Sequence, residues 1–296
     1  MDLSLVITTY NRSSVLQRLL EALDREPDRS FQVVVAIDGS TDDTEAMLAR
    51  QRVGYDLKWV NTHCPGYGLA VARNAGILAA DGRVVAVLDD DSFPQPGFIA
   101  AHRDSARVGV ITGGPRRPSD PSETRMLWKM EQLATLPPLT PLDIARLQRE
   151  RPNIFLIENN ISLLREDWIG MGLFSERLKI YGFIGQEFFA RARHLGMSFQ
   201  YCPEAAIIHH GEIEGDNGLV RARKTRQTAL ATLLRPTLMT PRHFNAQIDW
   251  AKARAEGRGG IPLPPWRLQA AAAVPGRYLM ARARDVRRAL RSAVNR

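Results

Sequence analysis

Cysteine is almost missing from this chain: Cys64 and Cys202 are the only two in 296 residues. They lie far apart and without metal-ligand spacing, which excludes a disulfide framework and a zinc site. No apolar run approaches the roughly 20 residues that a membrane-spanning helix needs. The amino terminus, Met1-Asp2-Leu3-Ser4, enters a strand directly and has neither the charged nor the apolar region of a secretory leader. These absences point to a cytosolic chain. No Gly-x-Gly-x-x-Gly follows the first apolar run, and no Walker phosphate loop occurs anywhere, so the usual dinucleotide and phosphate cradles are lacking. There is no internal repeat and no low-complexity tract beyond Ala270 to Ala273. Acidic excess is lacking too. The formal net charge is +8, which suits anionic partners: nucleotide phosphates, a membrane surface or nucleic acid.

What the chain does have is alternation. Leu3 to Thr9 is a short apolar, β-branched run ended by Tyr10-Asn11-Arg12. A helix follows with Val15, Leu16, Leu19, Leu20 and Leu23 on one face, and Ser13 or Ser14 is its expected cap. Phe31 to Ile37 is a second strand, followed by Asp38-Gly39-Ser40-Thr41-Asp42, where Ser40 or Thr41 is expected to cap a helix through Ala46, Met47 and Leu48. A strand over about Leu57 to Asn61, a helix over Leu69 to Ala79 and a strand from Val84 complete the pattern. Strand and helix in turn call for a mostly parallel, doubly wound sheet in an α/β fold.

Val84 to Leu88 is an unbroken apolar strand that ends in Asp89-Asp90-Asp91. Three adjacent carboxylates repel one another, and a bound Mn²⁺ or Mg²⁺ would reverse that cost. In such sheets ligands sit outside the carboxyl ends of the strands. Thr8, Tyr10, Asn11, Arg12, Asp38, Gly39, Ser40, Asp42 and the three adjacent aspartates collect at that edge. The rim is acidic and the arginines are not interleaved with stacking aromatics, which argues against nucleic acid.

Val6-Ile7-Thr8-Thr9-Tyr10-Asn11-Arg12, Ile37-Asp38-Gly39-Ser40-Thr41-Asp42, Ala72-Arg73-Asn74-Ala75-Gly76-Ile77 and Leu88-Asp89-Asp90-Asp91-Ser92 stand in the order and spacing of one family. With these motifs the chain resembles the family 2 glycosyltransferases of GT-A fold, well over the first hundred residues and more loosely to His210. The resemblance implies a Rossmann-like, mostly parallel central sheet flanked by helices. It implies a catalytic unit over 1–215, made of a nucleotide-binding half (1–112) and an acceptor-facing half with an inserted flap (113–215). A basic, mainly helical extension over 216–296 is expected to follow. The implied activity is metal-dependent transfer of a sugar from a nucleoside diphosphate, UDP by preference, with inversion. A catalytically silent nucleotide-sugar binder and a nucleotidyltransferase are the alternatives.

By the same resemblance, Thr8, Tyr10, Asn11, Arg12, Asp38, Gly39, Ser40, Arg73, Asp89, Asp90 and Asn160 are the donor-binding residues. Asp91 is the metal ligand, joined by His209, with His210 in reserve. The base motif departs from the family. Its Glu-Asp pair, anchored on Arg191 and Gly196, falls on Ile184-Gly185, and only Glu187 keeps an acid there. Two readings stay open for Glu187. It is the general base, its carboxyl raised by an apolar neighbourhood, or it is a helix carboxylate paired with Arg191 four residues on.

Between 113 and 152, prolines flank two short amphipathic helices, with Trp128 set to pack or to meet acceptor. Glu212 to Asn217 reads as an acidic lid, with Arg221, Arg223, Lys224 and Arg226 after it. Tyr278 to Val294 sets apolar residues among arginines, a helix that suits the inner face of an anionic membrane, a packed position or a homodimer contact. The acceptor is open: a small molecule, a lipid-linked sugar or a polymer glycan.

Overall fold

A computed structural model of the chain describes residues 1–65, 68–118, 158–177, 184–210 and 239–258. The expected flap helices, Trp128, the acidic lid and its following basic residues, and the basic helix over Tyr278 to Val294 lie outside the described residues. The first half is built from β1 (Leu3–Thr9), α1 (Ser13–Leu23), β2 (Phe31–Ile37), α2 (Thr44–Arg50), β3 (Asp56–Asn61), α3 (Leu69–Ala79) and β4 (Val84–Asp89). Then come β5 (Ser92–Pro94), α4 (Phe98–Ser105), β6 (Val110–Gly113) and β7 (Arg116–Pro118). The remainder contributes β8 (Asn160–Leu164), α5 (Arg165–Gly170), α6 (Ile184–His194), β9 (Ser198–Tyr201), β10 (Ile207–His209) and α7 (Pro241–Ala255).

Seven strands form one sheet in the order β3-β2-β1-β4-β8-β6-β9. The first four are mutually parallel; β8 runs antiparallel to both β4 and β6. The strand order reverses at β1, so the crevice beyond β1 and β4 is the topological switch point of the sheet. A small second sheet, β5-β10-β7, carries β10 antiparallel to β5, with His209 opposite Ser92. Tyr201, on β9, and His209, on β10, thus lie in two different sheets.

Both faces of the large sheet are covered, and the pleat sorts the side chains between them. Leu5, Ile7, Val33, Val35, Ala86 and Leu88 pack with Leu16, Leu19 and Leu20 of α1 and with Phe98 of α4. Val6, Val34, Val85 and Val87 pack on the other face with Ala72 of α3, Trp168 of α5, Phe188 of α6 and Trp250 of α7. Five residues of α1 (Val15, Leu16, Leu19, Leu20 and Leu23) are buried. At roughly 1.5–3 kcal/mol per large aliphatic side chain, that face alone outweighs any weakness at the helix terminus.

The caps differ from expectation. Neither α1 nor α2 has a side-chain cap from its own N-cap residue. Instead, Asp42 serves both helices. Its Oδ2 accepts from the Ser13 N–H at 3.0 Å, and its Oδ1 accepts from the Thr44 N–H at 3.2 Å and from the Thr44 hydroxyl. These bonds outweigh the effect of burial and hold the Asp42 carboxyl below the usual range. One carboxylate thus satisfies orphan donors of two helices and ties the loops after β1 and β2 together.

Candidate active site

The loops at the carboxyl edge are joined before any ligand is considered. Asn11 takes a left-handed backbone (φ 51°). Its N–H donates to Ser40 Oγ at 2.9 Å, and its Oδ1 accepts from the Thr41 N–H at 2.7 Å. Gly39 also has positive φ (68°), and a Cβ there would meet the Cys64 carbonyl oxygen at 2.7 Å. Glycine is required on both counts. Asn11, Gly39 and Ser40 therefore shape the rim, while Tyr10 stands exposed beside them.

Each of the three adjacent aspartates has a protein partner. Asp89 accepts from Arg73 Nη2 at 2.8 Å, from Thr8 Oγ1 at 3.1 Å and from Asn159 Nδ2 at 2.9 Å. Asp90 turns inward and accepts from Thr9 Oγ1 at 2.7 Å and from Arg12 Nη1 at 3.0 Å. The same Arg12 nitrogen lies 3.1 Å from Asp91 Oδ2. Guanidinium groups thus relieve part of the repulsion among the three carboxylates. Burial raises Asp90 to about 7 despite Arg12 and Thr9. Asp91 goes the other way: burial would raise it, but His209 and Arg12 outweigh that and hold it at about 2.

The expected metal pair is close. His209 Nε2 lies 3.5 Å from Asp91 Oδ1, and both side chains are partly exposed. A carboxylate and an imidazole suit Mn²⁺ or Mg²⁺. Among the described residues no group of three His, Cys, Asp or Glu is placed to hold an ion. His210 is placed differently: its N–H donates to the Asp91 carbonyl at 2.9 Å, and its ring packs edge-on to Phe93.

Asp38, at the end of β2, is buried and accepts from the Gly68 N–H at 3.0 Å. Arg73, on α3, is buried with its guanidinium over the Phe174 ring at 5.2 Å. Asn160 departs from expectation. Its Nδ2 donates to the Ala205 carbonyl at 2.9 Å and its Oδ1 meets His102 Nε2 at 3.1 Å, all in the core. The neighbour Asn159 faces the rim instead. The reason is the two-residue period of a strand, which sends adjacent side chains to opposite sides.

Glu187 departs furthest. It is fully buried, as is Arg191, whose Nε and Nη2 donate to it at 2.9 and 3.0 Å. His243 of α7 approaches its Oε1 at 3.4 Å. Burial by itself would raise the carboxyl, but Arg191 and His243 outweigh it and the net direction is down. The raised carboxyl expected from an apolar neighbourhood is thereby corrected, and the pairing with Arg191 is the arrangement found. α7 lies in the extension expected to be mainly helical, and its start is marked by Thr240-Pro241, a cap followed by a first-turn proline.

Comparison with known proteins places this site in context. The model of the family described as Glycosyl transferase family 2 matches residues 4–169. Validoxylamine A glucosyltransferase of Streptomyces hygroscopicus subsp. jinggangensis is 30% identical over 206 residues, covering 61% of this chain and 48% of that protein. Chondroitin synthase of Escherichia coli is 34% identical over 124 residues, covering 41% of this chain and 18% of that one. The chain therefore spans about half or less of the curated relatives it matches. Among solved structures, the mannosyltransferase PcManGT of Pyrobaculum calidifontis, in complex with GDP-Man and Mn²⁺, has a TM-score of 0.57 at 17% identity, covering 95% of this chain and 85% of that one. TarS 1-349 of S. aureus, in complex with UDP-GlcNAc, has a TM-score of 0.56 at 18% identity, covering 99% and 92%. At such identities the likeness bears on the fold, which is the expected GT-A arrangement.

Proposed function

The chain belongs to glycosyl transferase family 2, and from that premise we propose that it transfers a sugar from a nucleoside diphosphate to an acceptor hydroxyl, with inversion. One observation carries this: Thr8, Asp38, Arg73 with Asp89, and Asp91 with His209 converge from five separate elements on the crevice beyond β1 and β4. Asp38 and Thr8 face the nucleobase, with uracil the base we favour because a carboxylate accepts its imide N–H. Arg73 and Asp89 hold the ribose side as a fixed ion pair. Asp91 and His209 are the residues that would hold Mn²⁺ or Mg²⁺. When bound, such an ion supplies charge stabilisation for the departing diphosphate.

The residues of the chain do the positioning. The Asn11–Ser40 and Asp42 bonds fix the two loops before donor arrives, so little reorganisation is left for the bound state. Arg12, shared between Asp90 and Asp91, keeps Asp91 ionised and aimed at the cleft. The TarS and PcManGT complexes with nucleotide sugars support this donor class. A silent nucleotide-sugar binder is the second reading, favoured by the burial of Glu187. The test is release of nucleoside diphosphate from UDP-glucose, UDP-GlcNAc and GDP-mannose in the presence of Mn²⁺. The transferase reading expects slow release from at least one donor; tight binding with no release supports the silent binder.

A further inference from the structure

With Glu187 locked in the interior, the group that takes the acceptor proton in the proposed reaction is to be sought elsewhere. Among the described residues the other carboxylates of the crevice are also engaged: Asp89 with Arg73, Asp90 and Asp91 with Arg12, Asp38 with the Gly68 amide. Glu158 is the exception. Its side chain is 29% exposed, and its ion contact is a long one, 3.8 Å to Arg73 Nη1.

We propose that Glu158 is the catalytic base, reaching across the first turn of α6 into the space left by Gly185. A Cβ on Gly185 would lie 2.7 Å from the Glu158 Cδ, and nearer still to its Oε2. A side chain at position 185 would therefore push the Glu158 carboxylate aside, and with glycine there the carboxylate occupies the spot. Among the described residues the acid at this spot is supplied from the turn before β8 rather than from the helix. Glu158 stands two residues beyond the last β4–β8 pair, Leu88 with Asn160, on the same edge as the aspartate tip. The adjacent Asn159 and the shared Arg73 both bond Asp89, so Glu158 is joined to the donor rim through a single residue on either route. The buried Oδ1 of Asn159 has no hydrogen-bond partner among the described residues. A buried acceptor left unmade costs about 1–3 kcal/mol, and a hydroxyl of donor or acceptor beside Glu158 would satisfy it.

The step rests on the glycosyl-transfer reading. The Glu158 carboxylate takes the proton of the acceptor hydroxyl (or of water, in donor hydrolysis). The acceptor oxygen forms its bond to the anomeric carbon as the bond from that carbon to the diphosphate oxygen breaks. The bonding pair leaves on the diphosphate, and the protonated Glu158 then returns its proton to solvent.

Hydrolysis of the donor panel with Mn²⁺ tests this without knowledge of the acceptor. E158Q should lower nucleoside diphosphate release by roughly 10²–10⁴-fold, while UDP or GDP with Mn²⁺ binds within about threefold of wild type. The swap E158A/G185E, which returns an acid to the helix, should release at least about tenfold faster than E158Q. E158Q hydrolysing at the wild-type rate, or losing nucleotide binding together with turnover, overturns Glu158 as base. A wild-type chain that releases nothing from any donor removes the glycosyl-transfer reading itself, a result distinct from either.

Discussion

Replacing Glu187 with glutamine separates a structural lock from a proton acceptor. The substitution keeps the volume and removes the charge, leaving the Arg191 guanidinium fully buried with its carboxylate partner gone. Arg191 keeps its bonds to the Met171 and Leu173 carbonyls, but these are dipoles and do not neutralise a cation. Breaking one side of a buried ion pair costs about 3–5 kcal/mol. His243 loses its partner on the same carboxylate, so the docking of α7 weakens with it. At roughly 2–4 °C per kcal/mol for a domain of this size, the melting temperature should fall on the order of 10 °C. Urea denaturation with a constant m-value measures the energy directly. Donor hydrolysis per folded molecule, measured well below the transition, should stay within a few-fold of wild type. A loss under about 1 kcal/mol, accompanied by a 10²–10⁴-fold fall in turnover, would falsify the lock and restore Glu187 as base.

Three other outcomes follow from the geometry. D42A removes the shared cap of α1 and α2; at about 1 kcal/mol per cap the loss should be near 2 kcal/mol, and a change under about 0.5 kcal/mol in urea denaturation contradicts the shared role. His102 is fully buried, and burial pushes its ring down to about 4 from 6.5 although Asn160 pulls the other way. The unfolded chain protonates first on acidification, so this contribution is present above about pH 6.5 and is lost as the pH falls towards 4. It amounts to roughly 3 kcal/mol, and H102Q should show a correspondingly flatter stability profile over that window; an identical slope would count against it. Because Arg12 and Arg73 already neutralise the aspartate tip, EDTA should leave thermal stability unchanged, and a marked drop would return to the ion a structural role.

The strands and helices of the first hundred residues were legible because their signals are local. The apolar runs of β1 and β2 and the span of α3 carry their own boundaries, Leu3–Thr9, Phe31–Ile37 and Leu69–Ala79. The aspartate tip and His209 were legible for the same reason: each ends a strand. What stayed hidden depends on partners distant in the chain. Which of Asn159 and Asn160 faces the rim is fixed by the register of β8 on β4, which composition does not reveal. The partner of Glu187 in the core, His243, comes from a helix more than fifty residues further along the chain. The meeting of Glu158 with Gly185 joins a turn to a helix across a stretch with no shared pattern. The cap from Asp42 looked like a local Ser or Thr cap because only the fold brings two helix termini to one carboxylate.

The most direct measurement of the central claim is calorimetric titration of UDP into the wild-type chain and D91A, with Mn²⁺ and with EDTA. The account predicts Mn²⁺-dependent binding to the wild type that is lost in D91A while the variant remains folded. Binding of equal strength in all four titrations, or no binding to the wild type with Mn²⁺, would contradict it.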